Sequence, residues 1–190
     1  MAGEYSVHRL SRVTGCRSDR TVRKYLDYLE EAFLFFSIPR FSYKVKEQVL
    51  ANKKCYCIDN GFVTAKGFRF SRNDGSLMEN LVAIALRQLE LAGNLNLYYW
   101  KNANPQEVDF VLQRSGKIIA LIQVCTDLSD DKVRHREVNA LLTAGRDCAC
   151  ENRIILTMDE EHTKAEEWFG IRGNIQYIPL WKWLQRPGIF

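Results

Sequence analysis

Glu107-Val-Asp109-Phe110-Val111-Leu112, the short segment Gln113-Arg-Ser115-Gly116-Lys117, and Ile118-Ile-Ala-Leu-Ile-Gln123-Val124-Cys125 decide the reading of this chain. Two apolar runs on either side of turn-forming residues are the pattern of a β-hairpin. With Ser115-Gly116-Lys117 as a three-residue loop and Gly116 at the positive φ, Asp109 falls directly across from Gln123. Side chains alternate faces along a strand, so Glu107, Asp109, Gln123 and Cys125 share one side. An acid on one strand and a polar pair on its neighbour is the layout of a metal-dependent phosphodiesterase site. The second carboxylate and the lysine of that layout are missing.

The segments around the hairpin alternate helix and strand. Gly75-Ser76 precedes an apolar helix from Leu77 to Leu91, closed by Gly93-Asn94. Within it Glu79 stands between Met78 and Val82, an expensive place for a carboxylate without a partner. Asn96 to Trp100 reads as a strand, Asp130 to Ala144 as a helix, and Arg153 to Thr157 and Asn174 to Ile178 as strands. Trp181, Trp183 and Leu184 read as a C-terminal helix packing back. The fold class is α/β (α+β), with a mixed sheet flanked by helices.

The N-terminal part has a different pattern. Val7, Leu10 and Val13 fall on one helical face that ends at Thr14-Gly15, and Ser18 is a good N-cap for a second helix. Val22, Tyr25, Leu26, Leu29 and Phe33 continue that helix over three turns. A short helix, a glycine turn and a longer helix is a helix-turn-helix signature. Phe33 to Arg40 and Lys53 to Ile58 then read as two strands around a polar loop, which makes a wing. The division expected is a winged helix-turn-helix over 1–72 and a second domain over 73–190.

Charge follows the same division. Residues 1–72 carry 14 Lys and Arg against 7 Asp and Glu, and the remainder carries 13 against 16. A basic front half suits a polyanion such as DNA. Arg17, Arg20, Arg23 and Lys24 lie near the start of the second helix, where a recognition helix meets a groove. Lys44, Lys46, Lys53 and Lys54 in the wing are candidates for phosphate contacts. Asp27, Glu30 and Glu31 on the same helix would repel a duplex, and a protein-docking role is the competing reading.

Other classes are disfavoured. No apolar run approaches the roughly 20 residues of a membrane span, so a cytoplasmic protein without a membrane partner is expected. There is no phosphate-cradling G-x-x-x-x-G-K-[ST] loop. The six cysteines form two C-x-C pairs (Cys55/Cys57 and Cys148/Cys150) plus Cys16 and Cys125, not a zinc-knuckle spacing, and read as reduced structural residues.

Residues 75–160 resemble the PD-(D/E)XK, or restriction-endonuclease-like, superfamily. On that resemblance Glu79 matches the helix acid, Asp109 the strand Asp, Gln123 the (D/E) and Cys125 the Lys. Nearly the whole chain resembles the C-terminal region that follows an AAA-type ATPase module in a large prokaryotic, often archaeal, family. The tracts Thr21-Val-Arg-Lys-Tyr-Leu-Asp-Tyr-Leu-Glu30, Cys57-Ile-Asp-Asn-Gly61, Glu107-Val-Asp-Phe110 and Leu121-Ile-Gln-Val-Cys125 carry this likeness. The resemblance implies an ATPase partner, upstream in the same polypeptide or in trans, and a region largely of unknown function.

The departures matter chemically. Two carboxylates at Glu79 and Asp109 would hold Mg²⁺ or Mn²⁺, and a lysine would orient the nucleophile. Gln123 still offers a carbonyl oxygen, whereas Cys125 offers neither a positive charge nor a hard ligand. Lys117, Lys101 or Arg136 would have to replace the lysine. The expectation is a non-catalytic, DNA-associated accessory region of an AAA-type ATPase with a degenerate nuclease-like site. The alternatives are an active Mg²⁺- or Mn²⁺-dependent nuclease with a relocated lysine, and a docking or homo-oligomerisation module.

Overall fold

Ser6 and Ser18 start the first two helices by the same device. Each side-chain oxygen accepts a hydrogen bond from the amide three residues on, Arg9 N at 3.1 Å and Thr21 N at 3.2 Å. Gly15 ends the first helix at φ 71°, in the left-handed region that glycine enters without penalty. The computed structural model of the chain describes residues 3–66 and 74–187. It divides into two compact units, Met1–Ile84 and Ala85–Phe190.

The first unit runs β1 (Gly3–Tyr5), α1 (Val7–Thr14), α2 (Asp19–Glu31), β2 (Phe35–Pro39), α3 (Val45–Leu50), β3 (Lys53–Cys57) and α4 (Asn60–Lys66). It ends in the first part of the long helix α5 (Asp74–Leu91). Its sheet is antiparallel in the order β1-β3-β2. Val22, Phe36, Ile38, Tyr56 and Val82 are buried in its core. The polar loop expected between the two strands contains the helix α3, and a third strand, β1, joins the sheet. The expected boundary between residues 72 and 73 lies outside the described residues.

Asn80 ties α5 to this sheet. Its amide donates to Cys57 O at 2.9 Å, and its Oδ1 accepts Cys57 N at 2.8 Å. The buried amide thereby satisfies the backbone groups of Cys57 at the end of β3, which would otherwise be orphaned.

The second unit contains the rest of α5, then β4 (Asn96–Lys101), β5 (Glu107–Arg114), β6 (Lys117–Val124), α6 (Asp131–Asp147) and β7 (Arg153–Thr157). β8 (His162–Trp168), β9 (Ile171–Pro179) and α7 (Leu180–Leu184) complete it. The six-stranded sheet has the order β4-β5-β6-β7-β9-β8. β6, β7 and β9 are parallel, and β4, β5 and β8 join antiparallel, which makes the sheet mixed. β8 was not expected from the sequence. No helix among the described residues is long and apolar enough to cross a membrane.

The β5–β6 turn is built differently from the expected three-residue loop. It has two residues, Ser115 at φ 50° and Gly116 at φ 79°, the signs of a type I′ turn. A register shift next to Gln113 then inserts one extra residue in β6. Beyond it Phe110 faces Ile122, and the same register continues to Asp109 opposite Gln123. Turn and bulge together reach the alignment that one longer loop was expected to give.

Candidate functional site

The end of the β5–β6 hairpin and the first turns of α6 hold a buried polar network. Asp109, Gln123 and Glu137 are exposed by only 6%, 6% and 4%. Gln123 sits at its centre. Its Oε1 accepts the Asp109 amide at 3.1 Å and its Nε2 donates to Glu137 Oε2 at 2.5 Å. Asp109 Oδ2 accepts the Val124 amide at 3.1 Å. Arg136, itself mostly exposed, closes over Glu137 Oε1 from Nε at 3.0 Å and Nη2 at 2.5 Å.

Electrostatics couples these groups. Burial pushes the Glu137 carboxyl above its usual range, with Arg136 opposing and the Asp109 charge adding to the rise. The hydrogen bond to Glu137 in turn raises Arg136 and holds it charged. Cys125 has its thiol pushed up by burial and donates to Asp127 O at 3.2 Å, so it stands as a neutral thiol.

The other sequence candidates occupy different surroundings. Glu79 lies in the first unit, where Lys54 Nζ is 3.0 Å and Tyr56 OH 2.7 Å from its Oε1. Lys54 is only 2% exposed, so its side chain is directed inward to Glu79 and not outward as a phosphate contact. That corrects its place among the wing lysines; Lys44, Lys46 and Lys53 are exposed. Of the lysine substitutes, Lys101 Nζ is 3.2 Å from Glu107 Oε2, Lys117 is exposed at the hairpin turn, and Arg136 reaches the network. Among the described residues no group of three or more His, Cys, Asp or Glu is arranged to hold a metal ion.

The basic residues of α2 separate into two environments. Arg20 and Lys24 line a shallow groove with Thr21, Tyr25 and Tyr28, and Lys24 Nζ is 5.5 Å from the Tyr28 ring centre. Arg23 instead lines a cavity that also contains Asp19, Asp27 and Glu30. Arg17 is exposed ahead of the helix. Tyr25, Tyr28 and Phe33 are 56%, 50% and 70% exposed, which leaves an aromatic surface beside the basic one.

The residue that sequence reading missed is Glu137. It lies in a charged run, Arg134-His-Arg136-Glu137, that resembles a solvated helix face. Its spacing held the signal, because Val133, Glu137 and Leu141 fall one turn apart on the same row of α6.

The chain belongs to the DUF4143 family, described as a domain of unknown function, which matches residues 74–183. A second domain of unknown function, DUF8612, matches residues 1–72. An uncharacterized protein of the archaeon Methanocaldococcus jannaschii is 34% identical over 168 residues, covering 87% of this chain and 36% of that protein. An uncharacterized protein of Haemophilus influenzae is 26% identical over 114 residues, covering 60% of this chain and 27% of that protein. The chain thus spans about a third of the length of the curated relatives it matches. No solved structure matches it.

Proposed function

We propose that this chain is a non-catalytic, DNA-associated accessory region of an AAA-type ATPase, made of a winged helix and a degenerate nuclease-like core. The observation that carries the reading is the bonding of Gln123. Both ends of its amide are used inside the protein, on Asp109 N and Glu137 Oε2. An active centre of this kind needs carboxylate oxygens turned to a metal and a cation turned to the reacting phosphate. Here one acid is replaced by an amide, Glu137 is bonded by Gln123 and Arg136, and a neutral thiol stands at the lysine position. A polar network satisfied from within stabilises the hairpin-to-helix junction.

Support for nucleic-acid association is the groove of Arg20, Lys24, Tyr25 and Tyr28 on α2. Guanidinium and ammonium groups contact phosphates, and exposed tyrosines stack on unpaired bases. The ATPase partner rests on the likeness of the ordered tracts from Thr21 to Cys125, together with curated relatives about three times as long as the matched part.

The active-nuclease reading has one observation in its favour. Arg136 feels both Asp109 and Cys125 electrostatically, and on that reading it would take the lysine's part. The test is incubation of the protein with plasmid and branched duplex, with and without Mn²⁺, beside Asp109→Ala. Retarded but uncut DNA supports the accessory reading, and metal-dependent cutting lost in the variant rejects it.

A further inference from the structure

Arg153, the first residue of β7, is 8% exposed and makes no ion pair among the described residues. Its Nη1 donates to Glu151 O at 3.4 Å, and its Nε is buried with no partner. Two glycines make room for the guanidinium. A Cβ on Gly145 would stand 2.1 Å from Nε, and one on Gly173 would stand 2.6 Å from Nη1. Any other residue at either position would push the head group aside.

A guanidinium cannot shed its proton to escape burial, as a lysine can. Buried to 8% exposure with one long hydrogen bond and no ion pair, it is a charge in want of a counter-charge. The last turn of α6, where Gly145 lies, supplies the partial negative charge of its carbonyls, and the Glu151 carboxylate, which lines the same cavity, forms no ion pair with Arg153 among the described residues. Beside Arg153 is an open cavity of about 400 Å³, lined by Glu151, Arg153, Ala165, Arg172, Gly173 and Asn174. Arg172 adds a second cation at the rim, with its Nε 2.6 Å from Glu167 Oε2. Asn174 adds an exposed amide.

We propose that this cavity binds a phosphoryl oxyanion, with Arg153 as its anchor and Arg172 at its mouth. The planar guanidinium fork matches two oxygens of such a group, and the cavity has room for the phosphoryl and its ester substituent. The group is supplied either by free phosphate or a nucleotide, or by a nucleic-acid backbone. The site involves neither the Gln123 network nor α2, so it stands whether or not DNA binds there.

The test uses the whole chain, Arg153→Met and Arg172→Ser, melted in phosphate-free buffer and in millimolar inorganic phosphate, with sodium chloride matching the ionic strength. Phosphate is expected to raise the wild-type Tm in a saturable way. Arg153→Met is expected to melt no lower than wild type without phosphate, because it removes an uncompensated buried charge, and to lose the phosphate response. Arg172→Ser should keep the fold and weaken the response several-fold. A short oligonucleotide that competes with phosphate identifies a backbone phosphate as the natural source; failure to compete identifies free phosphate or a nucleotide. A wild type indifferent to phosphate overturns the proposal. So does an Arg153→Met protein that melts several degrees lower without phosphate, since that marks Arg153 as a structural cation of α6.

Discussion

Gln123 and Glu137 meet through one short hydrogen bond, Nε2 to Oε2 at 2.5 Å, with the amide donating and the carboxylate accepting. The pairing depends on residue 123 being an amide. A carboxylate there would face a second buried carboxylate, and neither would have a hydrogen to give unless a proton were captured. The glutamine is therefore suited to its neighbour.

Placing an acid at position 123 should harm the fold. Gln123→Glu is expected to lower stability at pH 7 by about 2–3 kcal/mol, the scale of a lost charge-assisted hydrogen bond together with like-charge burial. The loss should shrink toward pH 5, where one shared proton can reconnect the pair. Urea unfolding of the two proteins at both pH values checks it, and equal stability at pH 7 would remove the structural reason given for the glutamine.

Glu137 should make stability depend on pH in an unusual direction. Its folded pKa is raised chiefly by burial, so the folded state binds the proton more tightly than the unfolded chain. Its contribution is then greatest below the ordinary glutamate range and is lost as pH rises through the raised folded value. Other carboxylates titrate too, so the quantity to follow is the difference between wild type and Glu137→Gln. Wild type should gain on the variant as pH falls from 7 toward 5. A difference independent of pH would contradict the raised value.

In the first unit, Lys54 and Glu79 should behave as a buried pair. Lys54→Met leaves Glu79 without this cation and is expected to cost about 3 kcal/mol or more, the range seen when one partner of a buried pair is removed. Lys54→Met with Glu79→Met together should recover much of the loss, giving a coupling energy of about 1–3 kcal/mol in a double-mutant cycle. Additive losses would mean that the two residues act separately.

The two sides of α2 should differ in nucleic-acid binding. Arg20→Ala with Lys24→Ala is expected to weaken binding and to flatten its salt dependence by about one to two in log–log slope. Arg23→Ala, placed among Asp19, Asp27 and Glu30, should do much less. Fluorescence anisotropy across a salt series reads both effects, and equal losses would mean that the groove of Arg20 and Lys24 is not the contact surface.

Strong local signals made most of the elements legible. Ser6, Gly15 and Ser18 fix the ends of α1 and α2, and the apolar run of α5 and the β5–β6 hairpin are plain in the sequence. The pairing of Asp109 with Gln123 was reached through the wrong turn, because a two-residue turn plus a bulge and a three-residue loop give the same alignment. β8 was hidden by its composition. His162-Thr-Lys-Ala-Glu-Glu-Trp168 is an exposed edge strand held by its pairing to β9, and its side chains carry little strand preference. The role of Lys54 could not be read from a row of lysines, since alternation along β3 sends Lys53 out and Lys54 in. Glu137 was hidden in a charged run, and its one-turn spacing with Val133 and Leu141 marks the face of α6 that packs against the hairpin.

The most direct test of the central claim is a single gel. Supercoiled plasmid and a short branched duplex are incubated with the protein and with Asp109→Ala, in Mn²⁺ and in chelator. The result expected is salt-sensitive retardation with no cleavage in either protein. Metal-dependent cleavage by the wild type that disappears in Asp109→Ala would contradict it and assign the site to an active nuclease.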